Sequence, residues 1–364
     1  MACSSGETAG GVDALTVFLN SCSVMKNISR SKLTRKSVLE SRTHAFIVVK
    51  ANKEEDIMHK YTWKGKIDPA NSQKRFPMKY KATLIVTVIL LFQISCSTNN
   101  KNEKVEIDNQ GVHIHYTDSK HGDTALLFIH GWGINQTYWA NQVAHFSKNF
   151  RVVTLDLPGF GQSGKNRESW TVEDYTSDIN KVLTDLDLKN VILVGHSMSG
   201  SIIVETALTH PDRIIGIIGI DNLKNVGTVM TPEVEKEWST FYDSARKNFK
   251  ATVSKDIHYL FTPRTDSAIQ KRVTDDIFSS DTVIAIACLE NLDKYPFSEK
   301  LKSLRKPLYL INSNYTPTDT AAFKQNEIDY NLLVIDSTGH YPMLEKPKDF
   351  NTLLEKAVNE IQQK

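Results

Sequence analysis

From about residue 105 onward, six short, largely apolar runs recur along this chain, at 125–129, 150–155, 190–194, 214–220, 307–311 and 330–335, each followed by a polar or glycine-containing turn. ALLFI at 125–129 contains no polar position at all, and neither does VILV at 191–194. The alternation of a half-exposed strand is therefore missing, and a strand apolar on both sides must be covered on both faces. Helical stretches lie between the runs, at 137–146, 172–186 and from Ser199 to just before Pro211. Strand and helix in alternation predict an α/β fold: a mostly parallel sheet flanked by helices.

One earlier stretch behaves differently. KVEIDNQGVHIHYTD, residues 104–118, alternates around a turn at Asn109-Gln110-Gly111 and reads as two strands with one exposed face. His113 and His115 lie on one face because they are two apart. As a metal pair they have no further ligands close by in sequence, so a half-exposed strand is the expectation.

Charge separates the chain into two parts. Residues 1–96 carry 15 Lys and Arg against 7 Asp and Glu, and residues 97–364 carry 29 against 35. The basic part is a leader and the bulk is mildly acidic. That excludes a nucleic-acid-binding domain, whose Lys and Arg would gather on the folded part. At 40% hydrophobic and 24% charged, the composition also excludes a disordered or fibrous protein.

The leader holds a second signal. Lys79 and Lys81 precede an apolar stretch of 14 residues, Ala82 to Ser95, which is of signal-peptide length and short for a membrane span. Cys96 and a polar linker, residues 96–104, follow. The arrangement resembles a bacterial lipoprotein signal at 78–95, which implies lipidation of Cys96 and a membrane anchor on the extracytoplasmic, periplasmic side. Gln93 departs from the leucine usual at that place. An uncleaved apolar helix is the alternative, and an unprocessed leader would leave the protein cytoplasmic. Residues 1–77 show no sustained period, so either synthesis starts at Met78 or they form a poorly ordered extension. The four cysteines show no C-x-x-C pair, and Cys288 is expected in the core.

The strand at 190–194 delivers Gly195-His196-Ser197-Met198-Ser199 into a helix. Strand, tight turn and helix are the setting of a nucleophile elbow, G-x-S-x-G, and only the fifth place departs, with Ser199 for glycine. Ser197 stands at the apex, and Ser199 lies one step into the helix, where it would be a poor nucleophile. Upstream, His130-Gly131-Trp132-Gly133 follows a buried run. Asp156-Leu157-Pro158-Gly159 follows another, and Asp156 there is expected to stabilise the turn.

HGWG, DLPGFGQS, GHSMSG and GHYPMLEKP, in this order, resemble the α/β-hydrolase superfamily in its branch of small esterases, haloperoxidase-like enzymes and C–C bond hydrolases. The resemblance spans about residues 103–362. It implies an α/β-hydrolase domain over 105–364 and a serine hydrolase that cleaves small or medium carboxylic esters through an acyl-enzyme. C–C bond or other acyl hydrolysis by the same triad is an alternative, and so is a slow-turnover, ligand-binding signalling protein on the same fold. No metal or organic cofactor is implied, and the expected partner is a small-molecule ester.

Ser197 needs a base, and His340, in the loop after the run at 330–335, occupies the family's place for it. The acid has two candidate places. Many relatives carry it after the penultimate strand, where this chain has Asn312-Ser313-Asn314 and reaches Asp319 only beyond Pro317. Asp221, at the end of the strand after the nucleophile, is the alternative place and the preferred acid; Asp319 is the second candidate. The family assigns the oxyanion to the backbone N–H groups of Met198 and Trp132. Helical segments within about 222–305, inserted after the sixth strand, are expected to form a cap. Trp238, Phe241, Tyr242 and Phe261 would line its pocket or pack its interior.

Overall fold

The computed structural model describes residues 106–227 and 231–364. The leader, the candidate signal at 78–95 and Cys96 lie outside them.

Eight strands form one sheet: β1 (Glu106–Asn109), β2 (Val112–Asp118), β3 (Ala125–Ile129), β4 (Arg151–Leu155), β5 (Val191–His196), β6 (Ile214–Ile220), β7 (Leu308–Ser313) and β8 (Asn331–Ile335). Their spatial order is β1-β2-β4-β3-β5-β6-β7-β8. The first two strands pair antiparallel, and β2 joins β4 antiparallel. All remaining pairs are parallel. The wholly apolar runs are the inner strands β3 and β5, buried at every position, as covering on both faces requires. The edge strand β8 is only partly buried. On the outer β2, His113 is exposed beside Asp108, and His115 reaches Gln162 on the loop after β4.

Helices α1 (Ala140–Phe146), α2 (Val172–Asp185) and α3 (Ser199–Thr209) follow β3, β4 and β5. The start of α2 is fixed by a capping box: Thr171 Oγ1 accepts from Asp174 N, and the Asp174 carboxylate accepts from Thr171 N. Between β6 and β7 come α4 (Pro232–Lys247), α5 (Phe249–Asp256), α6 (Ser267–Ser279), α7 (Thr282–Lys294) and α8 (Phe297–Ser303). This is the helical insertion expected after the sixth strand, richer in helices than its sequence suggested. Helix α9 (Thr320–Gln325) leads to β8, and α10 (Pro342–Glu345) and α11 (Pro347–Gln362) end the chain. Cys288 is buried in α7, where burial pushes its thiol up to about 12, so it packs as a small apolar residue.

The chain runs from β3 to β4 on one side and from β5 to β6 on the other. Ile129 and Gly195 pair where β3 and β5 lie side by side, so the loops that leave these strands diverge at one end of the sheet. Such a reversal opens a crevice at the carboxyl ends of the strands, where open α/β sheets bind ligands. His130 to Gly133 and Ser197 to Ser199 both leave the sheet there.

Candidate active site

Ser197 sits at the tip of β5 with φ of +52°, a left-handed conformation that a side-chain-bearing residue adopts only when its surroundings enforce it. Three features enforce it here. Gly195 leaves room for the bend: a Cβ at that place would lie 2.8 Å from the Ile203 side chain and from the Ser199 carbonyl. Asn222 Nδ2 donates to the carbonyls of Gly195 (2.8 Å) and Ser197 (3.2 Å). Ser197 N donates to the Ile220 carbonyl at 3.1 Å, continuing the β5–β6 pairing past the strand end.

His340 comes from the loop after β8, 143 residues away from Ser197, and its Nε2 lies 2.8 Å from Ser197 Oγ. Its Nδ1 lies 2.7 Å from Asp221 Oδ2. Asp221 directly follows β6, again with positive φ (+46°), and is 2% exposed. Burial alone would push its carboxyl up. The Lys224 ammonium and the hydrogen bond to His340 outweigh that and hold it well below the usual carboxylate range. An ionised carboxylate can only accept, so His340 Nδ1 carries the proton it donates. Nε2 then presents its lone pair to the Ser197 hydroxyl. The arrangement can draw a proton from Ser197 while Asp221 steadies the ring.

The two candidate acids lie in different surroundings. Asp221 reaches His340; Asp319 instead caps α9, its Oδ1 accepting from Ala322 N at 3.0 Å. The Asn312 side chain, where many relatives hold the acid, bridges to Asn222, exchanging hydrogen bonds with its N–H (3.2 Å) and C=O (2.9 Å). Asp156 is a turn residue, accepting from Gln136 N and Gln162 N, each at 2.8 Å. Trp132 and Met198 leave adjacent strand ends, and the Trp132 indole donates to the Ala285 carbonyl of the cap at 2.8 Å.

The insertion touches the site through the His340 loop. His340 N donates to the Leu260 carbonyl at 2.8 Å. Glu345 accepts from Gly339 N at 2.9 Å and from Thr265 Oγ1 at 2.7 Å. Phe261 stacks on Tyr341, their ring centroids 6.2 Å apart. Tyr242 is hydrogen-bonded to Asp293 and packs against Phe241, so both belong to the interior of the insertion; Trp238 is buried as well.

Sequence reasoning passed over His196, Asn222, Lys224 and Glu345. His196 Nε2 lies 2.8 Å from the His340 carbonyl, and burial first, then the neighbouring His340, lower its pKa to about 3. It is therefore a neutral ring at ordinary pH. Asn222 and Lys224 had one signal, their position directly after a strand-end Asp.

A family model for the α/β hydrolase fold matches residues 124–347. The chain belongs to this family. Within it, the chain is 25% identical over 278 residues to a 2-hydroxy-6-oxononadienedioate/2-hydroxy-6-oxononatrienedioate hydrolase of Burkholderia vietnamiensis, covering 71% of this chain and 95% of that one. It is 27% identical over 244 residues to a pimeloyl-[acyl-carrier protein] methyl ester esterase of Wigglesworthia glossinidia brevipalpis, covering 62% and 90%. A thermophilic esterase structure from Thermogutta terrifontis superposes with a TM-score of 0.62 at 22% identity, over 71% of this chain and 99% of that one, and shares the fold. These relatives thus include a methyl ester esterase and a 2-hydroxy-6-oxononadienedioate/2-hydroxy-6-oxononatrienedioate hydrolase.

Proposed function

We propose that this protein is a serine hydrolase that cleaves small or medium carboxylic esters through an acyl-enzyme. Ser197 attacks the ester carbonyl, His340 takes the Ser197 proton and returns it to the leaving alcohol, and Asp221 orients and stabilises the imidazolium. The backbone N–H groups of Trp132 and Met198 receive the oxyanion. A water activated by His340 then releases the acid. The observation that carries the reading is the continuous array Asp221–His340–Ser197, with links of 2.7 and 2.8 Å. The esterase among the relatives agrees with it.

A second reading, C–C bond hydrolysis with the same three residues, is favoured by the similarity to the Burkholderia vietnamiensis hydrolase. A fluorophosphonate probe tests what the readings share. Wild type should label and Ser197→Ala should not; absence of labelling in both would end the serine-hydrolase reading. Turnover of p-nitrophenyl esters of increasing chain length, against a vinylogous 1,5-diketone, then separates ester from C–C cleavage. We propose further that the chain matures at Cys96 and is held by lipid on the extracytoplasmic side. Incorporation of labelled palmitate into the wild type and not into Cys96→Ser is the expected result, and equal incorporation would refute it.

A further inference from the structure

Lys224 lies three residues beyond Asp221, and its side chain is wholly buried. Its ammonium lies 2.7 Å from Asp221 Oδ1, 2.8 Å from both the carbonyl oxygen and Oγ1 of Thr316, and 3.3 Å from the Ser313 carbonyl. An ammonium has three protons, and all find acceptors here. Lysine is almost never fully buried unless paired, and an apolar residue of similar volume would fill the space without the cost of desolvating a charge. Packing alone therefore does not account for lysine at this place.

The geometry around the carboxylate does. Asp221 Oδ1 receives the Lys224 ammonium and the Ser313 N–H (2.8 Å), while Oδ2 receives His340 Nδ1. The two oxygens thus have separate tasks, one anchored and one presented. Asp221 and Leu223 both adopt positive φ, +46° and +52°, so the chain turns back between Asp221 and Lys224. The anchor reaches beyond the carboxylate to the loop after β7, which itself offers no acid to His340.

We propose that Lys224 is a positioning residue: by tying Asp221 to the 313–316 loop it fixes the carboxylate with Oδ2 directed at His340 Nδ1. The proposal rests on the serine-hydrolase reading above. Lys224 is hydrogen-bonded to neither Ser197 nor His340, so it acts through Asp221. Without it, Oδ1 would keep only the Ser313 amide, and the carboxylate could rotate away from the imidazole.

The test is a double-mutant cycle on the full chain, with p-nitrophenyl acetate turnover and fluorophosphonate labelling as readouts. Lys224→Met should lower kcat about tenfold or more and leave KM within about twofold, because the ester is not touched. In an Asp221→Asn background the same substitution should change kcat by less than about twofold, since its route of action is already gone. Lys224→Gln, which keeps a donor and drops the charge, is run beside it, with melting curves to establish that each variant is folded at the assay temperature. Wild-type kcat in both Lys224 variants overturns the proposal. So does an equal fold-loss in the wild-type and Asp221→Asn backgrounds, the signature of a structural role alone. If the wild type neither turns over ester nor labels, it is the serine-hydrolase reading that fails. If it does both, and Asp221→Asn is crippled while the Lys224 variants are not, the failure belongs to Lys224.

Discussion

Ser199 Oγ donates to the carbonyl oxygen of His130 at 2.5 Å, joining the first turn of α3 to the end of β3. The residue that breaks the glycine pattern of the elbow thus supplies a buried hydrogen bond. The strict demands for glycine lie on either side of it. A Cβ at Gly195 would meet the Ile203 side chain and the Ser199 carbonyl at 2.8 Å, and one at Gly200 would meet the Leu223 side chain at 2.7 Å. Ser199→Ala should therefore cost about 1 kcal/mol, the worth of one hydrogen bond, and leave fluorophosphonate labelling intact. Thermal melting and labelling in parallel check this. Labelling lost in Ser199→Ala would move the nucleophile from Ser197 to Ser199.

Asp221 and Asp319 should separate cleanly by substitution. At Asp221 an asparagine can turn its NH2 toward His340 Nδ1, which favours the tautomer with the proton on Nε2 and removes the acceptor for the Ser197 hydroxyl. Asp221→Asn should lower the labelling rate by roughly 10³- to 10⁴-fold, the size of the effect when an orienting acid is lost. Asp319→Ala removes the N-cap of α9, with a cost of about 1 kcal/mol and an unchanged rate. A rate that drops in the Asp319 variant and not in the Asp221 variant would reverse the assignment.

The strands and the sharp turn at Ser197 were legible because burial on both faces and a sharp bend leave few alternatives in residue type. ALLFI and VILV have no polar position, and Gly195 has no room for a side chain. Two components of the site were less legible. The acid was ambiguous because two strands end on one rim, and only the fold shows that Asp221 faces His340 while Asn312 bonds to Asn222. Lys224 had only its place shortly after a strand-end Asp to mark it. Its partners Ser313 and Thr316 lie about 90 residues away and contribute chiefly backbone carbonyls, which any sequence offers. Helix α6 was the harder part of the insertion to delimit, because only Val273 and Ile277 of its 13 residues are buried, too few for a clear period.

Asp293, in α7, should make stability fall toward alkaline pH. Burial pushes its carboxyl up to about 8, against the lowering effect of the Tyr242 hydroxyl. The folded chain keeps a proton that the unfolded chain releases near pH 4. The Asp293 contribution is therefore complete below about pH 4 and is lost as pH rises to about 8, by up to ~1.4 kcal/mol per unit. Asp293→Asn keeps an acceptor for Tyr242 and has no proton to lose. Its melting temperature should stay level between pH 6.5 and 8 where that of the wild type declines. Parallel curves for the two proteins over that range would refute the assignment.

His196 should act in the opposite sense and lower down the scale. Its ring is neutral in the folded protein to about pH 3, whereas in the unfolded chain it takes a proton near 6.5. The unfolded state therefore binds more protons between these values. The His196 contribution is complete above about 6.5 and is lost as pH falls toward 3, again by up to ~1.4 kcal/mol per unit. Between about pH 4 and 6.5 the slopes from His196 and Asp293 have opposite signs and offset one another, so the wild-type profile hides both. Single substitutions should expose them: Asp293→Asn leaves a melting temperature that climbs from pH 4 to 6.5, and His196→Asn leaves one that falls. Melting curves at half-unit steps read the two slopes directly, and a profile unchanged in shape by His196→Asn would mean that the ring accepts its proton in the fold as readily as outside it.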